Sequence, residues 1–348
     1  MTARHRPGAK PFPRLSVGDL APAAAIAVLT AAATVVMLSR GIHYDGSSLS
    51  ILFAICGGFA ATALAIRIMD PAARIAMGAE TLALFVALNL LSMLTASAFA
   101  VSDRPLIDPL LNGIDRAILP WISWRAAVDL AVRTPGAMAL LSNVYASLTW
   151  QPSLLVGAAI VLRDNRVLPR FNAAWAIGLL LCILPFYWLP AMGPYPWFGL
   201  TQADVPGHAV ALPFKSGPLL AELRSGAVWT IGIHQLSGLV CCPSFHACGA
   251  VLLGWSFRSL PYLRWPMGLL NAAMLASTVP IGGHYFIDVI VGAMAGVLAI
   301  LASDRLFRVA LPLPAWPAVR FGLASRARPI PPAANSLIPA GSAPTSPD

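Results

Sequence analysis

Two short stretches in the last third of this sequence hold the residues best suited to chemistry. In one of them, Asp288 follows His284 by four residues and is the only acidic residue inside a predicted membrane span. Residues i and i+4 share a helix face, so the carboxylate can approach the imidazole. A carboxylate that accepts a hydrogen bond from one ring nitrogen leaves the other nitrogen free as a base or nucleophile. The alternative is a pair that only satisfies itself between helices.

The second stretch runs from Cys242 to His246 and leads into an apolar helix. Pro243 suits the first turn of a helix, and Ser244 offers both a cap and a hydroxyl group. The free backbone N–H groups at a helix start bind anions, and a histidine there can protonate a departing oxygen. Either histidine alone would indicate a capping or packing residue. Because His246 and His284 both fall at the outer ends of their spans, together they predict a site.

The elements that must position these residues are membrane spans. Of the 348 residues, 58% are hydrophobic and 11% are charged, and the mean hydropathy is +0.74. Soluble domains are about 45–50% apolar and about 25% charged. The composition therefore excludes a soluble fold, disorder, a disulfide-stapled domain and a collagen-like fibre for the bulk of the chain. We predict an all-α integral membrane protein, a polytopic bundle of about eight spans: Leu20–Leu38, Leu49–Ile66, Leu82–Val101, Met138–Leu162, Ala173–Leu189, Leu239–Trp255, Pro266–Ile281 and Tyr285–Ala302.

The basic residues indicate how these spans are oriented. Most of the 23 Lys and Arg residues fall on one side, so the net charge of +9 reflects membrane orientation rather than nucleic-acid binding. We predict a bacterial-type inner-membrane protein with both termini in the cytoplasm and both histidines at the periplasmic face. The predicted regions are a basic N-terminus (1–18), a transmembrane domain (19–302) and a Pro/Ala/Ser-rich, disordered cytoplasmic tail (303–348).

Between the third and fourth predicted spans, the outer segment Ser102–Pro135 interleaves polar and apolar residues. Its aspartates include Asp108 and Asp115, and it also contains Trp121 and Trp124. This pattern predicts a helix that lies in the membrane interface, with the tryptophans at headgroup depth.

Both stretches also resemble a known family. Pro243-Ser244-Phe245-His246, and Ser277-Thr278 followed by five residues, His284, three residues and Asp288, are similar to the second and third motifs of the type 2 phosphatidic acid phosphatase superfamily. Two neighbouring segments are closer to the branch that contains the inositol phosphorylceramide synthases and their bacterial relatives. They are Gln235-Leu236-Ser237-Gly238-Leu239 and Gly283-His284-Tyr285. The clear resemblance covers about residues 224–296, within a motif core of 224–302.

This resemblance implies a metal-independent enzyme that needs no cofactor and acts on a lipid phosphate or phospholipid at the outer face. By position, His284 would be the nucleophile that forms a phosphohistidine, Asp288 its orienting partner and His246 the acid for the leaving group. Ser244 and nearby backbone amides would hold the phosphate. Water as acceptor would make the protein a phosphatase, and a polyol or lipid alcohol would make it a phosphotransferase. The sequence leaves both open, while the synthase-like branch favours transfer.

Two cations that are usual in the superfamily are missing. Its first motif has a Lys, six residues and then Arg-Pro. Arg104-Pro105 could be the end of such a motif, but the residue seven positions before Arg104 is Ser97 and not Lys. In the third motif, Thr278 replaces the usual Arg. We expect Lys215 and Arg224 to neutralise the phosphate instead, although solvated loop charges explain them equally well. The missing cations also fit a relative that binds lipid phosphate without turnover. A transporter with a proton-relaying His–Asp pair is the alternative from another class.

A metal site is not predicted. Cys241, Cys242, His246 and Cys248 offer four soft ligands within eight residues. However, adjacent cysteines followed by a proline cannot easily converge on a tetrahedral ion, and structural zinc sites favour spaced pairs.

Overall fold

A computed structural model describes residues 16–69, 74–205, 211–233, 236 and 238–311. The basic segment before Ser16, the loop histidines His208 and His234, and the tail from residue 312 lie outside the described residues. The predictions for the N-terminus 1–18 and for the tail 303–348 therefore fall almost entirely outside them.

Most of the described chain is helical. Its α-helices are α1 (Ala21–Arg40), α2 (Gly46–Met69), α3 (Arg74–Phe99), α4 (Asp108–Ile118), α5 (Trp124–Arg133), α6 (Ala137–Ala146), α7 (Gln151–Val161), α8 (Val167–Ile183), α9 (Pro194–Trp197), α10 (Ala211–Arg224), α11 (Phe245–Phe257), α12 (Arg264–Thr278) and α13 (Phe286–Leu306). Two short strands, β1 (His43–Tyr44) and β2 (Thr230–Ile231), pair in parallel. This pairing ties the segment that precedes α11 to the connection between α1 and α2.

Five helices of the described chain are long and apolar enough to cross a membrane: Val17–Arg40, Gly46–Met69, Arg74–Phe99, Val167–Tyr187 and Phe286–Leu306. The fourth predicted span is instead a pair of helices, Ala137–Thr149 and Gln151–Val161, bent by 56° at their junction. Pro152 explains the break, because proline donates no helix hydrogen bond and clashes with the preceding turn. The structure thus confirms a multi-span helical bundle with five such helices, or six if the bent pair is one span. It does not confirm about eight.

The sixth and seventh predicted spans form the shorter helices α11 and α12, of 13 and 15 residues. A membrane span needs about 20 residues. Helix α11 begins only at Phe245, after its Ser244 cap, and packs against α7, α8, α12 and α13. A short apolar helix is stable in that position because protein, rather than lipid, surrounds it.

Helix α8 lies at the centre of the bundle and α2 at its margin: 61% of the apolar window of α8 is buried, against 11% for α2. Helix α8 packs on α1, α3, α11 and α13. Helices α11 and α13 approach each other closely because Gly292 faces the start of α11. A Cβ atom on Gly292 would lie 2.2 Å from the Ser244 carbonyl oxygen. The N-terminal ends of α11 and α13 therefore lie side by side.

Candidate active site

The start of α11 presents unpaired backbone N–H groups. Ser244 is its N-cap and is fully buried, and its hydroxyl oxygen accepts a hydrogen bond from the Ala247 N–H at 3.4 Å. The Ser244 N–H donates to the Asp288 carbonyl oxygen at 3.1 Å, which joins α11 to α13. The N–H groups of Phe245 and His246, the first two of the helix, have no hydrogen-bond partner among the described residues. Such a helix start attracts an anion.

His246 stands in the first turn of α11 beside Tyr145, which comes from the end of α6. The two rings are nearly parallel, with centroids 3.8 Å apart, and the Tyr145 hydroxyl lies 3.0 Å from His246 Nδ1. A phenol hydroxyl both donates and accepts, so it can stay hydrogen-bonded to the imidazole in either protonation state. Nε2 is the nitrogen that remains for a substrate.

His284 lies in the loop between α12 and α13 and is nearly buried, with 6% of its surface exposed. Its Nδ1 atom is 2.8 Å from the Cys241 carbonyl oxygen. Because a carbonyl only accepts hydrogen bonds, Nδ1 must carry the proton, and in the neutral ring Nε2 keeps its lone pair. This tautomer is the one that a nucleophilic Nε2 requires.

Asp288 is close to His284 but does not make the direct hydrogen bond expected from the sequence. Its Oδ2 atom is 3.7 Å from His284 Nδ1. The same oxygen accepts hydrogen bonds from the Tyr285 N–H at 2.9 Å and from the Cys241 thiol at 3.0 Å. Asp288 thus caps α13 and places negative charge near the ring, while the Cys241 carbonyl fixes the tautomer.

Two buried aspartates of α4 hold the His284 loop in place, a role that the sequence analysis missed. Asp115 accepts from the N–H groups of Phe286 and Ile287, both at 2.8 Å, and so caps the start of α13. Asp108 accepts from the Gly193 N–H at 3.0 Å and from the Tyr285 hydroxyl at 3.1 Å. Burial raises the pKa of both carboxyl groups, and the hydrogen bonds that they accept oppose this shift.

Two buried aromatic side chains also hydrogen-bond to the same loop. The buried indole of Trp124 on α5 donates to the His284 carbonyl oxygen at 3.0 Å. The buried Tyr195 hydroxyl donates to the Pro280 carbonyl oxygen at 2.6 Å. Trp124 is therefore buried inside the protein, a contact that the sequence did not predict; its depth in the membrane stays a prediction.

A cavity of about 960 Å³ opens beside the two histidines, and both of them line it. Its other walls are mostly apolar and come from α3, α8, α10 and α11. Lys215 on α10 also lines this cavity. Arg224 does not, since its guanidinium group donates to the carbonyl oxygens of Ser102 and Arg104. The buried Ser244 side chain is not part of the described lining either.

The fold and the site together define a class: a multi-span helical membrane protein with two histidines at one cavity near its helix ends. The model of the PAP2 superfamily matches residues 111–302, more than half of the chain, and the protein belongs to that superfamily. Membership suggests a lipid phosphatase-type function, a lipid phosphate substrate and a multi-pass membrane protein. The match names the superfamily and no branch within it. No curated protein and no solved structure matches the chain.

Proposed function

We propose that this protein breaks a lipid phosphoester at the outer membrane face through a phosphohistidine at His284 and passes the phosphoryl group or phospho-headgroup to an alcohol. The resemblance to the inositol phosphorylceramide synthase-like branch favours this transfer over hydrolysis. One observation carries the proposal: His246 and His284 line one cavity and have different partners. The tautomer of His284 suits a nucleophile, whereas the Tyr145 hydroxyl beside His246 suits a group that gains and loses a proton.

In the first step, the lone pair of His284 Nε2 forms a bond to phosphorus while the bond between phosphorus and the lipid oxygen breaks. A protonated His246 gives its Nε2 proton to that departing oxygen. The ring of His284 becomes positive, and its Nδ1–H group stays bonded to the Cys241 carbonyl oxygen at 2.8 Å. The Asp288 carboxylate, 3.7 Å from Nδ1, stabilises this charge.

In the second step, the neutral His246 takes a proton from the acceptor, whose oxygen then attacks phosphorus. The bond between phosphorus and Nε2 breaks and returns its electron pair to His284. Phosphoryl transfer depends mostly on in-line positioning and on stabilisation of spread negative charge. The free N–H groups of Phe245 and His246 and the Lys215 ammonium would supply that stabilisation.

The resemblance of Gly283-His284-Tyr285 and of residues 235–239 to the synthase-like branch supports an alcohol acceptor. The cavity volume of about 960 Å³ also supports it. That volume lies at the upper end of the range for ligand pockets, about 300–1,000 Å³. It leaves room for an acceptor beside the phosphate. With water as the acceptor, the same two steps would describe a simple lipid phosphate phosphatase.

A second candidate function is binding of lipid phosphate without turnover. The observation that favours it is the charge of the cavity, because Lys215 is the one Lys or Arg among the described lining residues. Arg224, the other cation expected there, is committed to backbone carbonyl groups.

We also propose that both termini lie in the cytoplasm and that the site faces the periplasm of a bacterial inner membrane. The start of α13 lies at the site, and its last turn carries Arg305. Arg258 directly follows α11 and Arg264 begins α12, so both lie at the far end of α11 from His246. Basic residues on the cytoplasmic side support this orientation. A reporter fused to the C-terminus that is active only in the periplasm should stay inactive, and its activity there would contradict the orientation.

The test of function is phosphate release from phosphatidic acid and other phospholipids by the purified protein in detergent with EDTA. Each substrate is assayed with and without inositol or another polyol. His284→Ala is compared with His43→Ala, a matched control on the exposed residue of β1. Release that survives EDTA, persists in His43→Ala and is lost in His284→Ala is the expected result, and a polyol-dependent product identifies transfer.

Radiolabelled substrate should also leave acid-labile phosphate on the wild type and not on His284→Ala. Turnover that survives His284→Ala would refute the mechanism. Saturable binding of phosphatidic acid by a folded protein without any turnover would favour the second candidate function.

A further inference from the structure

Three potential metal ligands converge on the side of His284 that carries Nδ1. Cys241 Sγ, a ring nitrogen of His284 and an oxygen of Asp288 all lie within 4.8 Å of one another. Sγ is 3.0 Å and Nδ1 is 3.7 Å from Asp288 Oδ2. In tetrahedral zinc sites, bond lengths of about 2.0–2.3 Å place neighbouring ligand atoms about 3.4–3.6 Å apart. The observed separations bracket these values, so small side-chain shifts would complete the geometry.

A second observation also points to a ligand at this cluster. The Asp288 Oδ1 atom is buried and has no hydrogen-bond partner among the described residues. A buried carboxylate oxygen without a partner is costly, and a cation would satisfy it. Thiolate, imidazole and carboxylate together form the donor set typical of zinc-class cations.

The cluster also has an entry path. Cys241 and His284 line the cavity of the candidate active site, while Asp288 lies behind them and is fully buried. An ion that enters the cavity therefore meets the thiol and the imidazole first.

We propose that Cys241, His284 and Asp288 form an inhibitory site for a soft divalent cation of the zinc class. On binding, the Cys241 thiol releases its proton to solvent, and its sulfur becomes a thiolate ligand. Nδ1 gives its lone pair to the ion, so the single proton of the neutral imidazole moves to Nε2. An Nε2 atom that carries a proton has no lone pair for phosphorus, and the nucleophile is lost. The inhibition rests on the proposed function, whereas the ion binding does not.

The first test measures binding without turnover. Co²⁺, a spectroscopic substitute for zinc, is titrated into the full-length protein in detergent, and thiolate-to-cobalt absorption in the near ultraviolet is recorded. We expect this absorption in the wild type and in Cys56→Ser, a control on the distant helix α2, and its loss in Cys241→Ser. Zn²⁺ should also raise the melting temperature of the wild type, whereas Mg²⁺ should not. If the wild type shows neither effect, the site does not exist, whatever the folding of the variants.

The second test measures inhibition of phosphate release. Zn²⁺ should inhibit the wild type and Cys56→Ser, EDTA should restore activity, and Mg²⁺ at the same concentration should have no effect. A folded Cys241→Ser variant should need on the order of 100-fold more Zn²⁺ for the same inhibition, because it lacks a ligand. Equal sensitivity of this variant would overturn the proposal. Cobalt absorption without turnover of any substrate would instead refute the proposed function and leave the ion site standing.

Discussion

Gly292 offers the sharpest test of how the two histidines are positioned. It lies one turn after Asp288 on α13 and faces the first turn of α11. In the variant Gly292→Ala, the added Cβ atom would lie 2.2 Å from the Ser244 carbonyl oxygen and 3.1 Å from the Ala247 Cβ atom. The first of these separations is more than 1 Å shorter than an ordinary contact, and its partner is backbone, which cannot rotate away. The two helices must therefore separate at the point where they carry His246 and Asp288.

The cost of this separation has two parts. Overpacking of a tight interface costs about 1–3 kcal/mol. The hydrogen bond from the Ser244 N–H to the Asp288 carbonyl oxygen, now 3.1 Å long, would be weakened or lost, at about 1 kcal/mol. A displacement of about 1 Å between catalytic groups also lowers the rate on the order of 100-fold. We therefore expect Gly292→Ala to lose about 2–4 kcal/mol of stability and about 100-fold in kcat.

The assay compares thermal unfolding and phosphate release for Gly292→Ala and for Gly268→Ala. A Cβ atom on Gly268, in α12, has no neighbour within 4 Å. At this position alanine should be neutral, or stabilising by up to about 1 kcal/mol, because it favours helix more than glycine does. Wild-type stability and kcat in Gly292→Ala would refute the idea that close contact between α11 and α13 sets the distance between the histidines.

Three further predictions test individual contacts. Lys215→Met should raise the KM for phosphatidic acid about tenfold, since it removes the one Lys or Arg of the described lining. Arg224→Met should instead lower the melting temperature and leave KM unchanged, because Arg224 bonds only to backbone carbonyl groups. The reverse pattern would contradict these two roles. Tyr145→Phe should lower kcat about fivefold through loss of a hydrogen bond to His246 worth about 1 kcal/mol. An unchanged kcat would show that the hydroxyl has no role. Asp115→Asn should destabilise the protein by about 1–3 kcal/mol in thermal unfolding, because an amide N–H would face a backbone N–H. The control Asp103→Asn, at an exposed residue, should cost at most about 1 kcal/mol. Equal effects would contradict the capping role of Asp115.

Continuous hydrophobic runs and local motifs were the features most readily predicted from the sequence. Five of the predicted spans coincide with long apolar helices, because a run of about 20 apolar residues has few other stable structures in a membrane. The capping role of Ser244 was also predicted, since serine is a local capping signal, whereas Pro243, expected in the first turn, precedes the cap. The length of α11 was not, because this helix begins only at Phe245 and packs inside the bundle, whereas α12 (Arg264–Thr278) nearly matches the predicted Pro266–Ile281.

The supports of the candidate site could not be predicted in the same way, because they join distant parts of the chain. The carbonyl oxygen that fixes the tautomer of His284 belongs to Cys241, and every residue carries a carbonyl group, so no sequence motif marks it. Asp108 and Asp115 could have been recognised from the sequence. Asp108, Leu111 and Asp115 occupy positions i, i+3 and i+7 of one helix, and the face that they share is buried. An apolar residue between two acids on one face indicates carboxylates turned inward, which must find backbone N–H groups. Charged residues on the buried face of an interfacial helix are therefore the pattern that would have identified the supports of the His284 loop.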